Sequence, residues 1–155
     1  MRTSILSFVL ALSLPASAQL DSAFTLSGYA ELYYSYDISN PDDHIRQGPF
    51  YSFNRHNEVN LNLGYAKLAY AKNNVRGNIA LMAGTYAQYN LAAEPELLRN
   101  VLEANVGVKL SKSREFWLDA GIMPSHIGFE SAIGADCWNL TRSLLAENSP
   151  YYEAG

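Results

Sequence analysis

Arg55, His56 and Glu58 place a fixed cation, a titratable imidazole and a carboxylate within four positions of one another, where an alternating segment begins. Such a group suits a charged mouth that biases which solutes enter a channel, and equally a solvated loop end closed by a local ion pair. His126 and Glu130 would share one face of a helix and touch a metal, but a zinc site needs three or four protein ligands, and His44 stands at no predictable distance from them. Ser125, His126 and Asp136 are the residue types of a hydrolytic triad. They come without a G-x-S-x-G elbow, and a triad is defined by geometry and not by presence. No catalytic residue, metal site or cofactor is therefore expected. A phospholipase or protease would be the enzymatic rival.

A second set of charges is spread along the chain. Glu31, Glu103 and Asp119 stand against Arg76, Lys109 and Arg142, and on opposite walls of a wet passage they would set up a transverse field. Paired across neighbouring strands, they would only keep that passage hydrated. With Asn60, Asn62, Asn78 and Asn105, and with Arg55 and Glu58 at the mouth, they make up the candidate lining. Which arrangement holds depends on the elements that carry them.

Those elements alternate. In "FTLSGYAELYYSYD", Phe24, Leu26, Ala30, Leu32, Tyr34 and Tyr36 fall on one face, and Thr25, Ser27, Tyr29, Glu31, Tyr33 and Asp37 on the other. Asn40 to Asp43 end the pattern as turn formers. "NEVNLNLGYAKLAY" puts Val59, Leu61, Leu63 and Tyr65 opposite Glu58, Asn60 and Asn62. Lys67 then breaks phase, which predicts a bulge near Gly64. "KNN" is a tight turn with a left-handed asparagine. The segment 75–87 predicts a third strand with Arg76 and Asn78 on its polar face, and Pro95 starts a short helical turn through about Asn100. The segment 101–110 sets Leu102, Ala104, Val106 and Val108 opposite Glu103, Asn105 and Lys109. "FWLDAGIM" sets Trp117 and Asp119 opposite Phe116, Leu118 and Ile122. From Pro124 to Pro150 alternation disappears, and a helix near Trp138 to Glu147 would carry Trp138, Leu144 and Leu145 as an apolar stripe.

Short connections at Lys72 to Asn74 and Lys112 to Arg114 alternate with long ones at about 38–52, 88–100 and 124–150. Up-and-down strands then gather all tight turns at one end, as in transmembrane barrels. The strands run about ten to fifteen residues, against five or six in soluble sheets and about nine to eleven for a tilted crossing strand. Their polar faces carry charges that no small dry core could hold unpaired. The expected architecture is all-β and inside out, with Leu61, Leu63 and Val59 toward lipid and Glu58, Asn60 and Asn62 toward water. Tyr34, Tyr36, Tyr65 and Phe116 are placed as girdle aromatics near strand ends. The rival fold is a secreted β-sandwich binding module whose oily faces pack together.

The ends of the chain complete the picture. Arg2, the run "ILSFVLALSL" and small residues at Ala16 and Ala18 predict an export leader over residues 1–18, too short to span a bilayer as a helix. Without Arg2, the eleven basic residues become ten against fifteen acidic, a net charge of -5. That balance argues against a nucleic-acid partner. The single Cys137 permits no disulfide within the chain. Five strands, with "NSPYYEAG" as the entry to a sixth, fall short of the eight that a closed single-chain barrel needs, so residues 19–155 are expected to be the N-terminal part of a larger barrel, open as given and unstable alone.

"GYAELYYSYD", "FNRHNEVNLNLGYAKLAY" and above all "LDAGIMPSHIGFESAIGADCWNLTRSLLAENSPYYEAG" resemble the outer-membrane β-barrel porins of the Bacteroidetes, the OmpL-like group. The resemblance implies an outer-membrane location, passive diffusion of small hydrophilic solutes, insertion by the outer-membrane assembly machinery and contact with outer-membrane lipids. By analogy with general porins, the segment 124–150 is expected to fold inward and constrict the pore. A non-conducting adhesive or structural barrel is the alternative within the same architecture.

Overall fold

The computed structural model describes residues 7–46, 48, 50–125, 130–140, 142–148 and 152–155. Seven strands form one antiparallel sheet in chain order: β1 Ser7–Asp21, β2 Phe24–Asp37, β3 Val59–Lys72, β4 Val75–Ala83, β5 Val101–Lys109, β6 Trp117–Pro124 and β7 Tyr152–Ala154. Each strand pairs with its neighbour in sequence, so the topology is a pure up-and-down meander. Residues 24–155 supply six of the strands, as expected from their alternation. The tight turns at 22–23 and 73–74 and the connection 110–116 lie at one end; 38–58, 84–100 and the described residues between β6 and β7 belong to connections at the other. Asn73 takes φ 58° in its turn, the left-handed geometry that asparagine tolerates.

The two faces differ sharply. One is bare and apolar: Leu26, Leu68, Ile79, Ala104 and Ile122 face one another in a row across five strands. Ile79, Leu81 and Val106 are 53%, 57% and 56% exposed. The other is polar and largely covered, with Glu31 at 3% and Glu103 at 8%. Among the described residues no second layer of protein packs on the bare face, an arrangement unlike a sandwich and suited to hydrocarbon. No described helix is long and apolar enough to cross a membrane, so crossing falls to the strands.

Three expectations about phase need correction. The bulge sits at Asn62, where Glu31 opposes Leu63 and Leu32 opposes Leu61. The extra residue flips everything after it, because side chains alternate with period two. Leu63, fully buried, and Tyr65 therefore lie on the covered face with Asn62, not toward lipid, and Lys67 follows them. Tyr65 is no girdle residue: it stacks on Tyr29, ring centroids 5.7 Å apart. A second shift, between Ala80 and Leu81, likewise turns Leu102 toward the buried cluster of Tyr29, Leu63 and Met82. The aromatic pair on the bare face near the tight turns is instead Phe24 and Tyr70, 5.0 Å apart.

β4 ends at Ala83, short of the predicted Ala87. Gly84 adopts φ 127°, and a side chain there would collide with the backbone of Asn62. The chain turns inward into α1, Thr85–Tyr89, and buries Tyr86 and Ala87. The stripe expected over Trp138 to Glu147 does not form. Among the described residues of that stretch only α2, Leu144–Glu147, is helical, and Trp138 is 97% exposed.

The apolar leader-like segment, expected to stay outside the fold, is laid along β2 as β1, in continuous register from Ser7 opposite Asp37 to Gln19 opposite Thr25. The physical reason is phase. Leu10, Leu12 and Leu14 continue the bare face, while β2 offers an edge of backbone groups that seek partners.

Ile79→Arg places a guanidinium on the bare face, at an expected cost of about 2–4 kcal/mol at a bilayer midplane. Asn78→Arg, one residue away, places it on the covered face. With each change made in the full-length protein, refolded into phosphatidylcholine vesicles and run unheated on a gel, the first variant should lose the compact band and the second keep it. Equal loss in both would mean that the faces do not meet different media.

Candidate functional site

The chemistry-bearing side chains gather on the covered face in two zones. Toward the tight turns the face is only partly covered and carries ion pairs. Lys67 Nζ donates to both carboxylate oxygens of Glu103, at 2.9 and 2.8 Å. Arg76 donates Nε to Asp119 Oδ1 at 2.8 Å and Nη2 to Oδ2 at 2.5 Å, a two-pronged fit of guanidinium to carboxylate. Both pairs skip a strand. Ala80 lies directly between Lys67 and Glu103, and Gly107 between Arg76 and Asp119. A Cβ on Gly107 would run into Asp119 Oδ1, so that pair depends on the missing side chain.

Trp117 adds to this zone. The Arg76 guanidinium lies 4.3 Å from its ring centroid and Lys109 Nζ 5.9 Å away. Lys109 pairs with Glu115, whose carboxyl is held below the usual range by that partner and by the Trp117 indole N–H. Asn78 Nδ2 donates to Asn105 Oδ1 at 3.0 Å.

Toward the long connections the face is packed over. Glu31 accepts from Asn62 Nδ2 at 2.6 Å and from the Tyr29 hydroxyl at 3.2 Å, so its buried charge is answered by donors. The connection 38–58 folds back on β2: Ser35 Oγ donates to the Arg55 carbonyl at 2.6 Å, Phe53 stands edge-on to Tyr33, and His56 Nδ1 accepts from the Asp37 N–H at 2.9 Å. The 3₁₀ turn Gly134–Asp136 lies over Glu31, where Gly134 leaves no room for a side chain, and Ala135 N donates to the Tyr29 hydroxyl oxygen at 3.2 Å.

One buried ion pair ties these coverings together. Arg142 Nε lies 3.5 Å from Glu147 Oε1, with both side chains essentially inaccessible. Arg142 Nη2 donates to Ser52 Oγ and Nη1 to the Ala132 carbonyl, each at 2.5 Å, and the guanidinium lies 5.1 Å from the Tyr86 ring. Glu147 Oε2 accepts from the backbone N–H of Tyr51 and Ser52 and from Asn90 Nδ2. The first connection, the region of α1 and the segment 130–148 thus meet at a single charge-assisted knot.

The predicted lining residues fall accordingly. Arg76, Asn78, Glu103, Asn105, Lys109 and Asp119 share the partly covered zone. Glu31, Asn62 and Arg142 are buried in the packed one, while Asn60, Arg55 and Glu58 cluster at the β3 end of the first connection. Of the cations expected to set up a transverse field, Arg76 is paired with Asp119, Lys109 with Glu115 and Arg142 with Glu147. Lys67 and Glu147 were not foreseen as site residues. Lys67 signalled itself by breaking the apolar phase of β3; Glu147 gave no signal. His126 lies outside the described residues. Ser125 donates to Glu153 at 2.8 Å, Glu130 is engaged by Ser143, and Asp136 is exposed. Among the described residues no three His, Cys, Asp or Glu side chains group to hold a metal. Cys137, its thiol pushed up by burial, closes the turn at Ser131.

A family model described as "Putative beta-barrel porin-2, OmpL-like" matches residues 23–155. No curated protein and no solved structure matches the chain.

Arg55 Nε holds Glu58 Oε1 at 2.5 Å, and this hydrogen bond, aided by Asn60, keeps the Glu58 carboxyl below its ordinary range. A lowered folded-state pKa contributes stability above the unfolded value of about 4.3, which is lost as pH falls through the folded one. An exposed pair is worth at most about 1 kcal/mol, so Glu58→Gln should speed thermolysin nicking of the connection 38–58 at neutral pH by no more than about five-fold. With pepsin at a pH low enough to protonate Glu58 in the folded state as well, the variant and the parent should be cut alike. A gap that persists there would show that the pair's charge is not what steadies the connection.

Proposed function

This chain belongs to the OmpL-like beta-barrel porin-2 family, and from that premise we propose that it lets small hydrophilic solutes diffuse passively across the outer membrane. A porin-like β-barrel role follows from family membership, which points to a channel and not to an enzyme. The passage runs along the polar face of the sheet. Arg76, Asn78, Glu103, Asn105 and Asp119 line it, while Glu58 and Arg55 stand at its long-connection mouth. The observation that carries this reading is the division of the sheet into an unpacked apolar face and a face of paired charges, which suits hydrocarbon on one side and water on the other.

Residues 1–18 serve as the export leader, cleaved after Ala18, and the family match from residue 23 onward is in keeping with that division. Removal of the leader frees the edge of β2. Outer-membrane lipids then cover the bare face, and the outer-membrane assembly machinery inserts the strands. The segment 130–148 acts as the constriction, held inward by the knot of Arg142 and Glu147. A second reading, a non-conducting structural barrel, is favoured by one observation: Tyr33, Phe53, Leu63 and Tyr86 fill the long-connection end with protein.

Planar-bilayer recording of the full-length protein separates the two. A channel should show discrete steps. Arg142→Ala, which leaves the buried Glu147 charge without its cation at a cost of about 3–5 kcal/mol, should release the segment on the order of 10²–10⁴ more often and raise both conductance and its noise. A silent parent would favour the structural barrel, and a conducting parent indifferent to Arg142→Ala would remove the segment 130–148 from the constriction.

A further inference from the structure

We infer that the partly covered zone is a charge-compensated wall, built to pass uncharged and zwitterionic hydrophilic solutes without ion preference, and that Lys67–Glu103 and Arg76–Asp119 determine this. The inference rests on the channel reading above and specifies its solute class.

Three observations carry it. First, each cation on this stretch of wall is closed against its own carboxylate: Lys67 on Glu103, Arg76 on Asp119 and Lys109 on Glu115. Three positive and three negative charges leave no net charge there. Second, the two strand-skipping pairs lie along the wall instead of projecting from it. Each spans two inter-strand spacings of about 4.8 Å over a residue with little or no side chain, Ala80 or Gly107. Trp117 backs the Arg76 guanidinium and fixes it further. Third, these groups remain within reach of a passing solute. The side chains of Arg76 and Asp119 are 42% and 22% exposed, and those of Lys67 and Glu103 are 26% and 11%.

An ion moving past such a wall meets tight dipoles and not isolated charges. The field of opposite charges less than 3 Å apart falls away faster than that of a single charge, and salt screens what is left within about 8–10 Å. Hydroxyl, amide and zwitterionic groups can still exchange hydrogen bonds with the outer lone pairs and N–H groups of the pairs. The compensation is also fragile, because removing either partner uncovers a full charge at the same spot.

Reversal potentials under a potassium chloride gradient test this with the full-length protein in planar bilayers. Arg76→Gln should shift permeability toward cations and Asp119→Asn toward anions, each by about two- to four-fold, the size expected of one uncovered charge a few ångströms away in water. The double variant should return to the parent value, whatever the remainder of the pore contributes. Lys67→Gln, Glu103→Gln and their double repeat the test on the second pair, in case a variant of the first loses its compact unheated band. Singles that leave a conducting pore unshifted, or doubles that stay shifted, would overturn the compensated wall alone. A parent that does not conduct would overturn the channel reading and this inference with it.

Discussion

Hydrocarbon offers no partner to a peptide N–H or C=O, and every feature of this chain answers to that constraint. Each strand must pair along its length, and the side chains on its outer face must be apolar while the opposite face is free to be wet. Long strands in strict chain order meet the first demand; the row from Leu26 through Leu68 and Ile79 to Ile122 meets the second. Phase then becomes the quantity most tightly held. A bulge is tolerated only where both altered faces still suit their media, and the one at Asn62 sits where Gly64, Ala66 and Leu68 can take over the outer face.

A wall that is polar and shared by neighbouring strands also limits what can stand beside what. An arginine and an aspartate two strands apart meet only if the strand between them carries nothing tall, and Gly107 and Ala80 fill that role. The small residues on β4 and β5 are therefore part of the electrostatics. They decide that the charges close on one another at hydrogen-bonding distance and lie along the wall.

Much of this was legible from residue types. Alternation in β2, β4 and β6 fixed which side chains share a face, because a period of two leaves no other choice, and the order of short and long connections fixed the direction of the strands. The misreadings have a common origin. Leu63, Tyr65 and Lys67 in β3, and Leu102 in β5, follow bulges, and a bulge is one residue inserted into a pattern whose sign it reverses. Lys67 in an apolar register was the visible trace. Glu147 and Tyr86 left no trace at all, since their roles arise from segments far apart in sequence: Glu147 meets Ser52 and Asn90, and Tyr86 meets Arg142. The apolar run before residue 19 shows a further limit, because the same alternation of Leu10, Leu12 and Leu14 serves a leader's hydrophobic run and a barrel strand equally well.

The two zones of the polar face place opposite demands on charge, and the structure meets them differently. Where protein covers the face, a charge loses water and must be given fixed donors or a partner, so Glu31 takes Asn62 and Tyr29, and Arg142 takes Glu147 together with carbonyl and hydroxyl oxygens. Such a cluster is costly to disrupt and therefore rigid. Where water reaches the face, pairing costs little and is easily exchanged, so the same residue types sit in shallow bidentate contacts that a passing solute can address. Rigidity at the long-connection end and accessibility at the tight-turn end follow from one variable, the depth of covering. That gradient, more than the identity of any one charged residue, separates the part of this sheet that holds its own loops in place from the part left free to meet a solute.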